Sequence, residues 1–161
     1  MKKSKKILLI ISPIIIGMVF NYLILVPGLI SILIYGGPIF FIIYWVWVAG
    51  LFQGHMKSPI KATLLANSGG IISLLIYIWQ LILVSDDKRS LFLAGLSQDF
   101  SAPLSFLTVK IGMQFEKNPI EGTMITIFAS QVAGLVIMMI VFYLGYSIKK
   151  RNEQSNMIDM I

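Results

Sequence analysis

From Ile7 to Met56 the chain carries no lysine, arginine, aspartate or glutamate. A water-soluble domain has no use for so long an uncharged stretch, whereas a spanning helix needs about 20 predominantly apolar residues in a row. Ala62–Ser85 and Gly122–Ile148 repeat the pattern. The segment Ile7–Phe52 is too long for one crossing: as a single helix it would reach about 69 Å, more than twice a hydrocarbon core of about 30 Å. It must turn back, and two turn signals compete, Pro27-Gly28 and Gly36-Gly37-Pro38. The first divides the run into two balanced spans and is preferred, with the second inside the following helix.

The expected fold is an all-α membrane protein, a single integral membrane domain over residues 1–161. It has four transmembrane helices at about 7–26, 30–52, 62–84 and 122–148. A long, partly helical outer loop, 85–121, joins the third to the fourth. With 57% hydrophobic residues and a mean hydropathy of +0.87, the 161 residues leave no room for a separate soluble domain. The N-terminus has the basic start and apolar run of a signal peptide. No small-x-small cleavage site follows, and the run continues past Val26, so an uncleaved first span is expected.

Basic residues set the orientation. With the N-terminus inside, the inner segments hold Lys2, Lys3, Lys5 and Lys6, then Lys57 and Lys61, then Lys149, Lys150 and Arg151. The first outer turn holds none, and the outer loop holds four basic residues beside five acidic ones. Nine of the thirteen therefore lie inside, which fits the positive-inside rule and predicts both termini inside. The inner clusters are expected to meet anionic lipid headgroups, not nucleic acid, because they abut membrane spans. Many isoleucines and lysines suggest a bacterial origin, hence the plasma membrane.

The helices are not uniformly apolar. In the third, Ala66, Gly70, Ser73, Tyr77 and Gln80 recur at spacings of four and three, with Asn67 beside them. In the fourth, Thr123, Thr126, Ser130 and Gly134 do the same, with Gln131 beside them. In the first, Pro13, Gly17 and Asn21 are four apart. Small and polar side chains let membrane helices approach and hydrogen-bond, so these stripes are expected to face the bundle interior. Asn21, Asn67, Gly70, Ser73, Tyr77, Gln80, Thr126, Ser130, Gln131 and Gly134 form the candidate set for helix packing or for a polar path. None of the intramembrane amides ionises, which argues against a proton relay built on buried carboxylates.

The outer loop is the least ordinary region, long for a connection and half apolar. Leu91–Leu96 and Leu104–Phe115 are each expected to be helical, the second capped by Ser101 with Pro103 in its first turn. Leu104, Leu107, Ile111 and Phe115 would then share a face lying on lipid or covering the bundle mouth. Asp86, Asp87, Asp99, Lys110 and Glu116 would remain open to an external partner. Thr108-Val109-Lys110-Ile111-Gly112 matches a potassium filter only in outline, and its lysine would oppose cation passage.

Catalytic signals are missing. There is no cysteine, which removes disulfides and thiol chemistry, and the single His55 cannot build a zinc site. No metalloprotease, serine-hydrolase or nucleotide-loop motif occurs. No catalytic, cofactor-binding or metal residue is therefore assigned. The expected function is non-enzymatic: an accessory or immunity-like subunit acting through helix packing and its outer loop. A small oligomeric transporter or channel is the alternative, and a membrane enzyme using outer-loop carboxylates the third. A membrane-protein partner or a homo-oligomer is the expected assembly.

Overall fold

The computed structural model describes residues 3–114 and 122–158. Helix α1 spans Lys3–Leu23 and α2 spans Ile30–Gln53. The chain reverses between them at the first turn signal, where Gly28 takes φ +88°, a left-handed conformation that glycine adopts without steric cost. Gly36, Gly37 and Pro38 lie inside α2. Helix α3, Pro59–Ala66, opens with Ser58 as its cap, the hydroxyl accepting from the Lys61 amide, and with Pro59 in the first turn. Helix α4, Ser68–Tyr77, runs on through a π-helical turn, Ile78–Leu83. Helix α5 is Leu91–Leu96, α6 is Ser105–Met113 and α7 is Gly122–Ile158. There is no strand among the described residues.

Three helices are long and apolar enough to cross a membrane: α1, α2 and the Ile125–Glu153 portion of α7. A fourth crossing exists if α3 and α4 count as one bent span.

Three expectations about these elements need correction. The third helix is not continuous over 62–84. It breaks at Asn67 with a bend of 46° between its halves. Asn67-Ser68-Gly69-Gly70 strings together weak helix formers, and two of their side chains bond back to the preceding turn. The Asn67 amide donates to the Thr63 carbonyl at 2.9 Å and the Ser68 hydroxyl to that of Leu65 at 2.8 Å. The fourth helix does not stop at Lys149-Lys150-Arg151 but continues to Ile158. Lysine and arginine favour helix, so they end an apolar run without ending the helix.

The third correction concerns the outer loop. Leu91–Leu96 is helical as expected. Ser101 and Pro103, however, do not open an α-helix at the surface. They belong to a 3-10 segment, Asp99–Leu104, all six residues of which are buried. Proline disfavours helical backbone in the residue before it, which limits this stretch to short 3-10 turns. The face expected on α6 is also different: Leu107 is 50% and Ile111 42% exposed, while Thr108 and Gly112 are buried against α7. Phe115, Glu116, Lys117 and Glu121 lie outside the described residues.

Connection α5–3-10–α6 is thus a hairpin folded into the helix bundle. Its tip fills the space between α1, α4 and α7. Gly17 of α1, which touches Asp99, lies six residues before the end of that helix, about 9 Å down. Gly134 of α7, which touches Ser101, lies twelve residues in from Gly122, about 18 Å down. The tip therefore reaches near the middle of the bundle.

The aromatic core sits beside this tip. Trp45 packs on Phe142 with ring centroids 5.6 Å apart, and Phe52 meets Phe142 edge-on at 5.5 Å. Phe100, from the hairpin tip, meets Trp45 at a right angle and 6.5 Å. Helix α7 lies along α2, while α1 rests mainly on the hairpin tip. Tyr44 of α2 donates a 2.6 Å hydrogen bond to Ser12 of α1, and the Tyr146 hydroxyl of α7 bonds the Met56 carbonyl.

Where α4 ends, Arg89 closes the helix. Its guanidinium donates to the Gln80 carbonyl at 3.0 Å and the Leu81 carbonyl at 3.3 Å, two carbonyls that a terminating helix leaves without partners. Arg89→Ala is expected to destabilise the protein by about 1.5–3 kcal/mol, the range for hydrogen bonds from a charged donor. Amide hydrogen exchange should accelerate across residues 78–84 and stay unchanged in α7.

Candidate functional site: a polar cavity beside the re-entrant segment

The small residues of the helix stripes admit the hairpin. A Cβ at Gly70 would lie 2.4 Å from the Phe100 ring, and one at Gly134 would lie 2.7 Å from the Ser101 Cβ. At Gly17 it would lie 1.7 Å from the Asp99 carbonyl oxygen. At Gly112 it would lie 2.3 Å from the Thr126 carbonyl oxygen, so α6 and α7 touch backbone to backbone there. Glycine is required at these approaches because any side chain would hold the hairpin out.

The polar members of the stripes fall into two groups. On α4 and the π-helical turn that continues it, Ser73, Tyr77 and Gln80 are buried. The Tyr77 ring stacks on Phe128 of α7 at 6.2 Å. Gln80 accepts from the Ser90 amide at 2.8 Å, tying the π-helical turn to the start of α5. Asn67 is wholly buried in the α3–α4 break; its Oδ1 has no partner. These residues hold the broken helix in place.

On α7, Thr126, Ser130 and Gln131 face this hairpin. With Gln98, Ser101 and Ser105 they line a cavity of about 150 Å³. Ser130 and Thr108 hydroxyls are 2.6 Å apart, joining α7 to α6, and Thr108 also donates to the Leu104 carbonyl at 3.2 Å. Thr126 Oγ1 and Gln131 Nε2 are buried without a hydrogen-bond partner. Gly70 and Gly134 shape the neighbouring hairpin contact and do not line this cavity.

A wider vestibule of about 450 Å³ adjoins it, bounded among others by Asn21, Gln98 and Asp99. Asn21, expected in the bundle interior, is instead exposed, and it donates a 2.7 Å hydrogen bond to the Asp99 carboxylate. Asp99, expected to be available to an outside partner, is instead only 8% exposed. Gln98 lines both spaces and donates to the Ala94 carbonyl at 3.1 Å.

The remaining outer-loop candidates do not join this site. Asp87 and Lys110 are exposed. Asp86 begins a short 3-10 turn, Asp86–Lys88, and Glu116 lies outside the described residues. Thr108–Gly112 is helical, so its carbonyls are not arrayed as in an ion filter. No group of three metal-ligating side chains occurs among the described residues.

Sequence periodicity marked Thr126, Ser130 and Gln131, but missed Gln98, Ser101 and Ser105. Those three belong to a connection with no regular period to expose their common face. The one available signal was the stretch Ser97 to Ala102, small or polar except for Phe100, between two apolar stretches. Comparison of the chain with protein-family models, curated proteins and solved structures finds no match.

Proposed function

We propose that the protein is a non-enzymatic, multi-pass plasma-membrane protein that passes a small solute along its re-entrant hairpin, as a small transporter or channel. It crosses the membrane four times with both termini inside, and it works alone or as a homo-oligomer. The observation that carries this is the buried segment Asp99–Leu104. An anchor or a simple packing subunit gains nothing from irregular backbone in the middle of its bundle. Within a bilayer such backbone is tolerated where it is buried in protein or lines a cavity, and a cavity with both polar and apolar side chains in its walls adjoins this one. Broken helices are a recurrent transporter device, and the α3–α4 pair breaks at Asn67 with a bend of 46°.

An accessory subunit acting through helix packing is the second reading. It is favoured by an apolar groove of about 500 Å³ between α1 and α2, lined by residues such as Ile15, Phe20, Leu33 and Phe40. Reconstitution separates the two. Purified protein in liposomes should speed solute entry after an osmotic jump, measured by light scattering. Entry no faster than in empty liposomes, together with co-purification in a larger membrane complex, would favour the accessory role.

Support for the orientation comes from the basic clusters. The Gln53 amide donates to the Glu153 carboxylate at 2.9 Å, so the Lys57 loop and the basic run of α7 share one end of the bundle. The rule that lysine and arginine stay inside assigns that end to the cytoplasm and to anionic headgroups. A cysteine-free chain makes the test clean. In intact cells a membrane-impermeant maleimide should label Lys88→Cys and not Ser155→Cys; external labelling at position 155 would reverse the topology.

A further inference from the structure

We infer that the vestibule between α1 and α5 binds a small organic ammonium ion, its cationic head on the Asp99 carboxylate and its hydrocarbon part against the apolar walls. The inference rests on the transport reading for its purpose, since it names the class of solute carried, and on the vestibule alone for its geometry.

A carboxylate in the interior needs a counter-charge. Asp99 is 8% exposed and lines the vestibule with Asn21 and Gln98. Buried charges in proteins are paired, because an isolated one loses its hydration without return. Among the described residues the one bond to this carboxylate comes from the uncharged Asn21 amide, to Oδ1. Its Oδ2 has no such bond and, unlike the unpartnered Asn67 oxygen, keeps accessible surface. No basic side chain among the described residues lines the vestibule. An ionisable group inside a membrane bundle ordinarily marks a solute pathway or the counter-ion of a ligand.

The two amides favour the same guest. The Asn21 side chain donates to Asp99 at 2.7 Å, and the Gln98 side chain donates to the Ala94 carbonyl at 3.1 Å. Each amide thus uses its NH₂ group on the protein, which leaves its carbonyl oxygen as an acceptor. A primary ammonium carries three N–H donors and no acceptor, so it complements one carboxylate oxygen and two amide oxygens. An anion would meet the wrong charge. The walls argue against a bare metal ion. Hard cations such as calcium take six to eight oxygen ligands, and no group of three metal-ligating side chains occurs among the described residues. Met18, Leu91 and Leu96 offer hydrocarbon instead. Phe92, 74% exposed, adds an aromatic ring to the same walls, a surface that attracts cations. A volume of about 450 Å³ leaves room for a ring beside the ammonium group.

Equilibrium dialysis against the full chain in phosphatidylcholine nanodiscs tests this, in sodium chloride buffer and with protein-free discs as the blank. Benzylammonium, benzyl alcohol and benzoate are the probes, alike in shape and different in charge. Saturable retention above the blank is expected for benzylammonium and for neither of the others. Asp99→Asn keeps an oxygen for the Asn21 amide and removes the charge; it should weaken binding about tenfold or more, the scale of a lost charged hydrogen bond. Phe92→Ala should weaken it about two- to fivefold, the scale of an exposed cation–π contact. It keeps the inference testable if Asp99→Asn fails to fold. An ammonium group can belong to a free amine or to an ethanolamine headgroup. Displacement of benzylammonium as ethanolamine lipid replaces choline lipid supports the site with a headgroup as its occupant, and unchanged retention supports it with a free amine. Equal retention of benzyl alcohol, retention undiminished in both variants, or no retention above the blank overturns the inference. The transport reading fails separately. Benzylammonium that binds but enters liposomes with the protein no faster than empty ones defeats transport and leaves the site standing. Faster solute entry after an osmotic jump, without ammonium binding, defeats the site and leaves transport standing.

Discussion

Gly17→Ala is expected to cost the bundle more stability than any other single added methyl group. The new Cβ would lie 1.7 Å from the Asp99 carbonyl oxygen and 2.6 Å from its carbonyl carbon. Both are backbone atoms and cannot swing aside as a side chain end can. Either α1 must tilt away or the hairpin tip must withdraw, and both movements also strain the Asn21–Asp99 hydrogen bond. Overpacking commonly costs about 1–3 kcal/mol, occasionally more, and a backbone collision belongs at or beyond the upper end. Gly95→Ala is the control. Gly95 sits in α5 with no atom within 4 Å of its would-be Cβ, and alanine favours helix by up to about 1 kcal/mol. Thermal unfolding in detergent, with the monodisperse fraction on size exclusion, should show Gly17→Ala far below wild type and Gly95→Ala at or above it. Equal melting of the two variants would mean that α1 does not touch the hairpin tip.

The second large effect is expected from Phe100→Ala, at about 3–5 kcal/mol, the range for deleting a core aromatic. Phe100 is 3% exposed, meets Trp45 edge-on, and lies in a slot made by Gly69 and Gly70. Inside a bilayer the loss is one of packing contacts and an unfilled cavity, since lipid tails are as apolar as the core. Phe92, the second residue of α5 and 74% exposed, provides the contrast. Phe92→Ala should change stability by no more than about 0.5 kcal/mol. In nanodiscs, amide exchange across 100–105 should be slow in the wild type and fast in Phe100→Ala. Fast exchange already in the wild type would return this segment to the surface.

Periodicity carried far in this chain, up to a definite boundary. The uncharged runs follow from composition alone, because nothing but a bilayer or a large core accommodates them. The turn at Pro27-Gly28 follows from balanced helix lengths, and Gly28 takes φ +88° there. Gly70, Ser73 and Tyr77 on α4, Gln80 in the π-helical turn after it, and Thr126, Ser130 and Gly134 on α7 are buried. Small and polar residues at helical intervals have a physical use only where another helix or segment approaches.

What approaches them was decided by tertiary structure. Hydrophobicity distinguishes neither lipid from protein on a membrane helix nor a buried connection from one lying on the surface. Asp99 and Ser101 therefore read as solvent-facing loop. They became interior because Asn21 satisfies the carboxylate of one and Gly134 leaves room for the other. The break at Asn67 likewise depends on where Phe100 enters beside Gly69 and Gly70. By itself the sequence determined which faces are small or polar and where the chain must turn, since these depend on residues close in sequence. Only the tertiary structure decided that the loop after α4 fills the bundle, because that depends on side chains 30 to 80 positions apart meeting in space, for which a one-dimensional pattern carries no period.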